Sequence, residues 1–209
     1  MAEEKIMQNE SIQLPEVVIS GEESFSHLLR LRRSIREYQN APISLFEIGQ
    51  LLWAAQGITH PEGLRTAPSA GALYPLELFL VAGQVEELTP GIYHYDPEEQ
   101  QLTLVSRGDH RNELANAALG QTWIADAAAS IIFTAIYKRT TQKYGDRGER
   151  YVHIEVGHAA QNLFLQAEAL GLGTVVVGAF DDVKISRVLE LPSEAKPLIL
   201  MPVGRAKGN

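Results

Sequence analysis

Apolar residues recur every three or four positions in two stretches of the chain, which is the spacing of one helix face. The first stretch, residues 45–55, opens with Ser44 and Glu47 in the spacing of a capping box. It ends before Gly57, a residue type that commonly terminates helices. The second stretch, from about Arg150 to Leu170, carries one wide apolar stripe. We therefore predict two helices, of which the second is the longer.

Other apolar runs are rich in β-branched and aromatic residues, which favour strands. The clearest is residues 129–137, which we predict to be a buried strand. Two further runs flank the turn-forming segment 96–100 and predict a β-hairpin. The predicted strands cover residues 76–81, 91–95, 102–105, 129–137, 174–177 and 197–203, and shorter helices are predicted over 24–31, 109–119 and 181–189.

Two segments lack a single clear pattern. Residues 15–19 are predicted to be either an edge strand or an arm that lies over a partner. Residues 140–150 are polar and of mixed charge, and we predict an exposed or mobile loop there. The chain contains no internal repeat, low-complexity segment or linker. We therefore predict a single α+β domain over residues 24–209, preceded by an N-terminal arm over residues 1–23.

The composition is that of a globular protein and narrows the possible partners. The 209 residues are 45% hydrophobic and 21% charged, with a formal net charge of -8. This acidic balance argues against nucleic acid or an anionic membrane surface as the main partner. The absence of cysteine excludes disulfides, thiolate catalysis and cysteine-ligated iron–sulfur clusters. The N-terminus lacks the apolar core of a signal peptide, and residues 124–136 are too short to span a bilayer, so we expect a cytoplasmic protein.

Four arginines stand between positions 30 and 36 of this acidic chain, and no acidic residue interrupts them. If the segment is extended, Arg32, Ser34 and Arg36 project to one side, because successive side chains of a strand alternate. Two guanidinium groups that flank a hydroxyl would form an anion cradle, since arginine is suited to bidentate phosphate recognition. The alternative is a solvated run of charge at the end of a helix, where cations complement the helix dipole.

Residues 65–75 combine small side chains with two prolines and one glycine. Small side chains would let a flat ligand approach the backbone closely. The alternative interpretation is an ordinary turn before the strand predicted from residue 76.

Two other patterns are interpreted as structural. The glycines at 171 and 173 follow a predicted helix and open a strand, which is the reverse of a dinucleotide-binding turn. His153 and His158 stand five residues apart, about 140° around a helix, whereas two-histidine zinc sites on helices use a spacing of four. We therefore predict no metal site. No serine in a nucleophile-elbow motif is accompanied by a histidine, so the sequence gives no support to nucleophilic hydrolysis either.

Six short motifs follow one another along the chain, namely Arg32-Arg33-Ser34-Ile35-Arg36, Ala67-Pro68-Ser69-Ala70-Gly71-Ala72-Leu73-Tyr74-Pro75, Tyr144-Gly145-Asp146-Arg147-Gly148, Glu155-Val156-Gly157-His158-Ala159-Ala160-Gln161-Asn162, Gly171-Leu172-Gly173 and Pro202-Val203-Gly204-Arg205. In this order and spacing, between about Phe25 and Arg205, they resemble the nitroreductase-like flavoproteins. The most similar branch contains the azoline (thiazole/oxazole) dehydrogenases. The resemblance implies an α+β fold with a central mixed β-sheet flanked by helices. It also implies a homodimer with a long interface helix and two FMN sites at the interface.

The resemblance assigns FMN-binding roles to three groups of residues. The phosphate would be held by Arg32, Arg33, Ser34 and Arg205, the last beside Gly204. Arg36 would lie at the C2 carbonyl and N1 edge of the isoalloxazine, and Val177 and Gly178 would present backbone groups to the edge near N5. The loop of the other subunit would cover the ring with Pro68, Ser69, Ala70, Gly71, Ala72 and Leu73.

The chain departs from classical nitroreductases at two of these places. Ala72 stands where an asparagine is usual, and Trp123 stands near a usual lysine. Both changes remove a side chain that would hydrogen-bond to the flavin, and Gln121 is expected to compensate.

The resemblance implies an FMN-dependent oxidoreductase that takes hydride from NADH or NADPH in a ping-pong cycle. Nitroaromatics, quinones or similar small molecules would be the acceptors. No catalytic side chain is assigned, because the flavin carries the chemistry. One alternative is azoline oxidation on a peptide, for which a Lys-Tyr pair is implicated in that branch. Lys143-Tyr144 is such a pair, or else a surface dipeptide in a polar loop. The other alternative is a flavin-binding protein that stores or senses FMN without turnover.

Overall fold

The computed structural model describes residues 10–21 and 23–207, and its centre is a seven-stranded sheet in the order β1-β4-β3-β2-β5-β7-β6. Every pairing between these strands is antiparallel. Parallel geometry occurs only in isolated bridges, Ser34 with Thr174 and Ile43 with Val85, so the predicted mixed sheet is in fact antiparallel. The strands are β1 Ser11–Gln13, β2 Leu76–Ala82, β3 Gly91–Asp96, β4 Gln101–Arg107, β5 Ala129–Ile136, β6 Leu172–Thr174 and β7 Ala195–Arg205.

Helices cover both faces of the sheet, and each face has its own core. Alternate residues of β2 point to opposite faces, so Leu78 and Leu80 enter the first core and Phe79 and Val81 enter the second. The first core lies under the helices at Leu45–Gln56 and Arg147–Ala169, and the second under those at Arg111–Ala117, Trp123–Asp126 and Asp182–Val188. The helices are α1 Phe25–Leu31, α2 Leu45–Gln56, α3 Arg111–Ala117, α4 Trp123–Asp126, α5 Lys138–Tyr144, α6 Arg147–Ala169 and α7 Asp182–Val188, with a short 3₁₀ turn at Ala70–Ala72.

The start of α2 is the predicted capping box. The backbone N–H of Glu47 donates to the Ser44 hydroxyl, and the Glu47 carboxylate accepts the N–H of Ser44 at 2.8 Å. Gly57 follows the helix, as predicted. The short helices at 24–31 and 181–189, the hairpin and the buried strand at 129–137 are also confirmed.

Of the two alternatives for residues 140–150, exposure is confirmed at most positions and the mobile loop is wrong. These residues form α5 and the first turn of α6, joined by Gly145 with a φ of 58°. The two helices meet closely, since a Cβ on Gly148 would lie 2.8 Å from the Thr141 Cα. The polar composition reflects the exposed faces of this helical pair, and Thr140 is buried.

Three other boundaries differ from the predictions. The strand expected over 174–177 ends at Thr174, and Val177 makes only an isolated bridge to Leu200. The helix expected over 109–119 is shorter, Arg111–Ala117. Residues 15–19 form no strand, and pairing with β4 is made earlier, by β1.

The predicted N-terminal arm thus contributes β1 to the edge of the sheet, and residues 1–9 lie outside the described residues. Within the described ranges, no helix is long and apolar enough to cross a membrane.

Candidate functional site

The arginine-rich segment extends the sheet beyond β6. The Ile35 N–H donates to the Thr174 carbonyl at 2.9 Å, and Ser34 bridges to Thr174 in parallel orientation. Gly173 makes this approach possible, because a Cβ there would lie 2.7 Å from Ile35 Cγ2. The segment is therefore extended, which is the condition that the sequence analysis set for an anion-binding arrangement, and Ser34 and Arg36 are exposed along the sheet edge.

Three arginine side chains of this segment meet no carboxylate oxygen within 4.0 Å in the part of the chain that the structure describes. Arg32 lies over the ring of Phe164 at 5.0 Å, and Arg36 lies over Trp123 at 5.8 Å, both as cation–π contacts. Arg33 donates to the carbonyls of Arg30 and Arg32 at the end of α1. Phe164 belongs to the first core, and Trp123 packs against the second. Arg32 and Arg36 are therefore held apart and do not enclose Ser34 between them.

Arg205 lies close to this edge but is already paired. Its carbonyl accepts the Gln39 N–H at 2.9 Å, while its guanidinium donates to both carboxylate oxygens of Glu47. The neighbouring Gly204 packs against Tyr38, because a Cβ on Gly204 would lie 3.1 Å from the Tyr38 ring. The Glu47 pairing was not foreseen, since the two residues are distant in the sequence.

Residues 121–123 and 177–179 meet next to Arg36. The side-chain amide of Gln121 donates to the carbonyls of Ala118 and Ala179, at 2.8 and 2.9 Å. Val177 exchanges both backbone hydrogen bonds with Leu200, so its N–H and carbonyl are already used. Gly178 is exposed, with no atom within 4 Å of where its Cβ would stand. Of the two residues predicted near flavin N5, Gly178 is therefore the accessible one.

The loop over residues 65–75 is strongly shaped and is not an ordinary turn. The Ser69 hydroxyl accepts the Tyr74 N–H at 3.0 Å, and the Asn162 side chain donates to the Thr66 carbonyl at 3.2 Å. Ala72 and Tyr74 have left-handed φ values of 53° and 44°, which cost about 1 kcal/mol or more each for residues with a Cβ. The loop lies against α6 and presents its exposed tip to solvent, with Pro68, Gly71 and Ala72 exposed and Ser69, Ala70 and Leu73 half-buried.

Lys143 and Tyr144, at the end of α5, lie against the tip of this loop. A Cβ on Gly71 would stand 2.7 Å from the Tyr144 hydroxyl and 3.0 Å from the Lys143 ammonium. Tyr144 in turn packs edge-on against Tyr151 of α6 at 5.1 Å. The glycine is therefore required by its own neighbours as well as by its φ of 66°, and the Lys-Tyr pair belongs to the loop site.

Glu155 is a buried carboxyl of this site that the sequence analysis missed. It is 2% exposed, and burial raises its pKa to about 7, against the stabilising effects of the Ser69 hydroxyl and the Arg65 guanidinium. Its position in the sequence could have revealed it, because Glu155 stands three residues after Val152 and four before Ala159, inside the apolar stripe of α6. A carboxyl on the buried face of a helix needs a polar partner from the element that packs against that face.

The structure does not bring the two halves of the predicted flavin site together in one chain. Arg32 rests on α6 at Phe164, whereas Pro68, Ser69 and Ala70 of the loop face α6 between Tyr151 and His158. His158 and Phe164 are six residues apart, a rise of roughly 9 Å along the helix. On the same helix, Gly157 faces open space, whereas Ala160 is buried in the first core.

The described residues contain no cluster of histidine and acidic residues suited to a metal ion. His153, one of the two histidines interpreted as structural, lies 2.6 Å from the Tyr137 hydroxyl through Nε2.

The fold is an antiparallel sheet between two helical layers, and three arginines at its edge have no carboxylate partner among the described residues. Comparison with known proteins names the group: the model of the Nitroreductase family matches residues 29–205, and the chain belongs to the nitroreductase family. The family and fold predicted from the sequence motifs are thereby confirmed.

Individual relatives agree with this assignment. A protein of Methanocaldococcus jannaschii classed as a nitroreductase is 47% identical over 194 residues, which cover 93% of this chain and 96% of that protein. An FMN reductase of Bacillus subtilis is 24% identical over 188 residues, 82% of this chain and 61% of that protein.

Two solved structures are similar in three dimensions. A nitroreductase of Ralstonia eutropha superposes with a TM-score of 0.83 and 28% identity, over 95% of this chain and 90% of that one. A chain of the Escherichia coli microcin synthetase McbBCD complex, with truncated pro-MccB17 bound, has a TM-score of 0.76 and 26% identity, over 98% of this chain and 81% of that one.

Proposed function

We propose that the chain is an FMN-dependent oxidoreductase that uses NADH or NADPH to reduce nitroaromatic, quinone or similar small-molecule acceptors in a ping-pong cycle. The observation that carries the proposal is the set of three side chains, Arg32, Arg33 and Arg36, without a carboxylate partner in the described residues of an acidic chain. A phosphate dianion is a ligand that balances such a set, because guanidinium groups bind phosphate in a bidentate manner. Family membership and the FMN reductase relative support the same cofactor.

The surrounding residues fit a flavin mononucleotide. Arg32, Arg33 and Ser34 would hold the phosphate, with Arg205 joining them when it leaves Glu47. Further along the same edge, Arg36 would place its charge beside the flavin ring, and the exposed backbone of Gly178 would face the opposite ring edge. When bound, FMN supplies hydride-transfer chemistry, and the role of the chain is to position and tune it.

We further propose that a second copy of the chain completes each site. The loop of residues 67–72 and Arg32 contact α6 at different positions in one chain, so they would act on one ligand across a two-fold axis. The outer face of α6 is suited to such an axis, because Ile154 is 49% exposed and Gly157 leaves room for a close approach.

Sedimentation of the flavin-loaded protein tests the dimer. Gly157→Tyr should give a monomer that has lost its FMN, because the new side chain would occupy the space at the two-fold axis. Asn116→Tyr places the same side chain at an exposed position of α3 and should leave a flavin-loaded dimer. A flavin-loaded monomer of the unmodified protein would contradict the shared site.

Absorbance of the purified protein, followed by anaerobic titration with NADH and NADPH, tests the cofactor. We expect a yellow protein that releases FMN rather than FAD on denaturation. Arg33→Gln should weaken FMN binding, whereas Arg30→Gln removes the same charge one turn earlier and should have little effect. A colourless protein that takes up no FMN would overturn the proposal.

The azoline dehydrogenase activity is a second candidate, favoured by the position of Lys143 and Tyr144 against Gly71. The similarity to the microcin synthetase chain points in the same direction. Lys143→Ala should then abolish oxidation of an azoline-containing peptide, while Lys138→Ala, at an exposed position of the same helix, should not. If Lys143→Ala changes neither this oxidation nor the reduction of small acceptors, the pair is a surface feature.

A turnover assay distinguishes both enzymatic activities from a flavin-binding protein that stores or senses FMN. We expect the protein to catalyse steady-state oxidation of NADH or NADPH with a quinone or nitroaromatic as the acceptor. Binding of FMN with no turnover of either nucleotide would support the non-catalytic alternative.

A further inference from the structure

A cavity of about 470 Å³ opens where β2 begins and β3 ends. Its volume is typical of sites for small ligands, which occupy about 300–1,000 Å³. Charged and polar side chains form part of its wall, and the apolar part consists of Leu73, Leu76 and Leu78. Among the described residues that line the cavity, only Leu73 is also assigned to FMN, so the cavity is largely separate from the flavin site.

Arg65 lines this cavity with one edge of its guanidinium unused. Its Nη1 donates to Gln56 Oε1 at 2.8 Å, but within the described ranges Nη2 makes no hydrogen bond and the buried Nε has no acceptor. Nε and Nη2 form the side of the guanidinium fork that pairs with a carboxylate through two parallel hydrogen bonds. Gln56, which also lines the cavity and is 1% exposed, adds a further unused donor, since its buried Nε2 has no acceptor among those residues. This end of the cavity therefore has an excess of hydrogen-bond donors.

The positive charge of Arg65 is also unbalanced. No carboxylate oxygen of the described residues lies within 4.0 Å of its guanidinium. Burial lowers the pKa of Arg65, and the opposing effects of Glu77 and Glu155 do not cancel this decrease. A cation removed from water is costly unless an anion pairs with it. An anion that enters the cavity would remove this cost.

The other charged groups of the cavity are already engaged or exposed. Glu77 of β2 is bonded to His94 at 2.6 Å and paired with Arg139. Asp96 accepts two backbone N–H groups of the turn after β3, at 2.8 and 3.3 Å, and Glu98 of that turn is exposed. The guanidinium described above is therefore the cavity cation that lacks an anionic partner in the described part of the chain. The three acids would repel a second negative charge on a ligand.

Tyr74 holds the guanidinium in place for a ligand. Its ring lies 4.6 Å from the Arg65 guanidinium carbon, and its hydroxyl accepts the Arg65 backbone N–H at 3.3 Å. The Tyr74 N–H donates to the Ser69 hydroxyl, and its carbonyl accepts from Arg139, both at 3.0 Å. These contacts keep Tyr74 at a left-handed φ of 44°, a strained conformation of the kind that clusters at ligand sites. The unused donor edge is therefore preorganised, which reduces the free-energy cost of binding.

We propose that this cavity binds a small organic carboxylate, whose carboxylate group pairs with Nε and Nη2 of Arg65 and whose apolar body packs on the three leucines of the wall. A slight rotation of the guanidinium on the Tyr74 ring brings the buried Nε to the second carboxylate oxygen. A monoanion is preferred to a phosphate dianion, because one cation is unpaired and three acids line the same cavity. The apolar wall favours an organic acid over an inorganic anion, since apolar surface is then removed from water. The site is additional to the proposed flavin site and requires neither FMN nor a second copy of the chain.

Titration of the full-length protein with 2-naphthoate, followed by ¹H–¹⁵N NMR, tests the site. We expect saturable binding with a Kd of about 1 mM or lower, as is usual for a ligand of this size. The amide signals of Leu78 and Tyr95, which line the cavity, should shift, whereas that of Gly178 should not. The uncharged analogue 2-naphthamide has nearly the same shape and should bind about tenfold more weakly or worse. Equal affinity for the two compounds, or shifts confined to the surroundings of Gly178, would overturn the proposal.

Two variants assign the binding to Arg65. Arg65→Gln removes the guanidinium fork and should weaken 2-naphthoate binding by about tenfold or more, to the level of 2-naphthamide. Lys138→Gln removes a cation from an exposed position of α5 and should bind as the unmodified protein does. Equal weakening in both variants would mean general attraction by charge and would refute the site. If Arg65→Gln fails to fold, the comparison of the two compounds in the unmodified protein decides.

The presence of FMN should not affect these results. We expect the same affinities in the flavin-free and the flavin-loaded protein, so failure here is distinguishable from failure of the proposed cofactor. Displacement of 2-naphthoate by FMN would place the compound in the flavin site and contradict the inference.

Discussion

The guanidinium of Arg205 donates two hydrogen bonds to the carboxylate of Glu47, at 2.7 and 2.9 Å, across 158 positions of sequence. The same carboxylate caps the start of α2 by accepting the N–H of Ser44. One acidic side chain therefore fastens the last strand of the sheet to the beginning of a core helix. If Arg205 also binds the FMN phosphate, as the family pattern implies, two anions compete for one guanidinium.

Arg205→Ala should lower the free energy of unfolding of the flavin-free protein by about 1–3 kcal/mol, because Glu47 would lose its charged partner. Urea unfolding measures this effect. Glu47 is 11% exposed, so water replaces the partner poorly. A flavin-free protein of unchanged stability would show that the pair contributes nothing to the fold.

The competition for Arg205 is tested by FMN affinity. Glu47→Gln frees the guanidinium and should bind FMN at least as tightly as the unmodified protein. Arg205→Ala should bind it more weakly, by about 1.5–3 kcal/mol if one charged hydrogen bond to the phosphate is lost. Equal affinity in both variants would assign Arg205 to the fold alone.

Arg36→Gln should lower the two-electron potential of bound FMN by about 20–80 mV, because a cation near the N1 edge favours the reduced flavin. FMN should stay bound, since Arg32 and Arg33, which we propose to hold the phosphate, are unchanged. A redox titration of this variant and of Arg33→Gln measures the effect. Arg33→Gln should weaken binding with little change in potential, and an equal drop in both variants would contradict the position assigned to Arg36.

Gly71→Ala should destabilise the protein by about 1–3 kcal/mol, because alanine disfavours a φ of 66° and its methyl group meets Tyr144 and Lys143. Tyr144→Phe removes the hydroxyl that lies 2.7 Å from the new Cβ. The double variant should therefore recover the steric part of the loss and keep the conformational part. Thermal unfolding of both single variants and the double variant separates the two parts, and full additivity would argue against the contact.

Ionisation of Glu155 should make the folded protein less stable as the pH rises. Below pH 4.5 the carboxyl is protonated in the folded and unfolded chains, so stability is unaffected. Between 4.5 and about 7 the unfolded chain ionises while the folded one retains its proton, which lowers the free energy of unfolding by at most about 3 kcal/mol. Denaturant unfolding at several pH values should show this fall in the unmodified protein and a smaller one in Glu155→Gln. Identical slopes would mean that Glu155 titrates normally.

The sequence determined those features that depend on neighbouring residues. The capping box of α2 was predictable because Ser44 and Glu47 satisfy each other within one turn of helix. The buried strand β5 was predictable from its composition, whereas the extended conformation of the arginine segment was only a condition of the anion-binding interpretation. The order and spacing of the motifs sufficed for the family.

Tertiary contacts decided the rest, because they join residues whose relation no local pattern records. Residues 140–150 looked like a polar loop, but packing of α5 on α6 at Gly148 makes them helical. That packing also brings Lys143 and Tyr144 to Gly71, a distance of some seventy residues in the chain. Glu155 stood in a family motif with no assigned role, and its pKa is raised because the loop and α6 exclude water from it. Local sequence fixes what a short segment can satisfy by itself, whereas burial and long-range pairing depend on the complete fold.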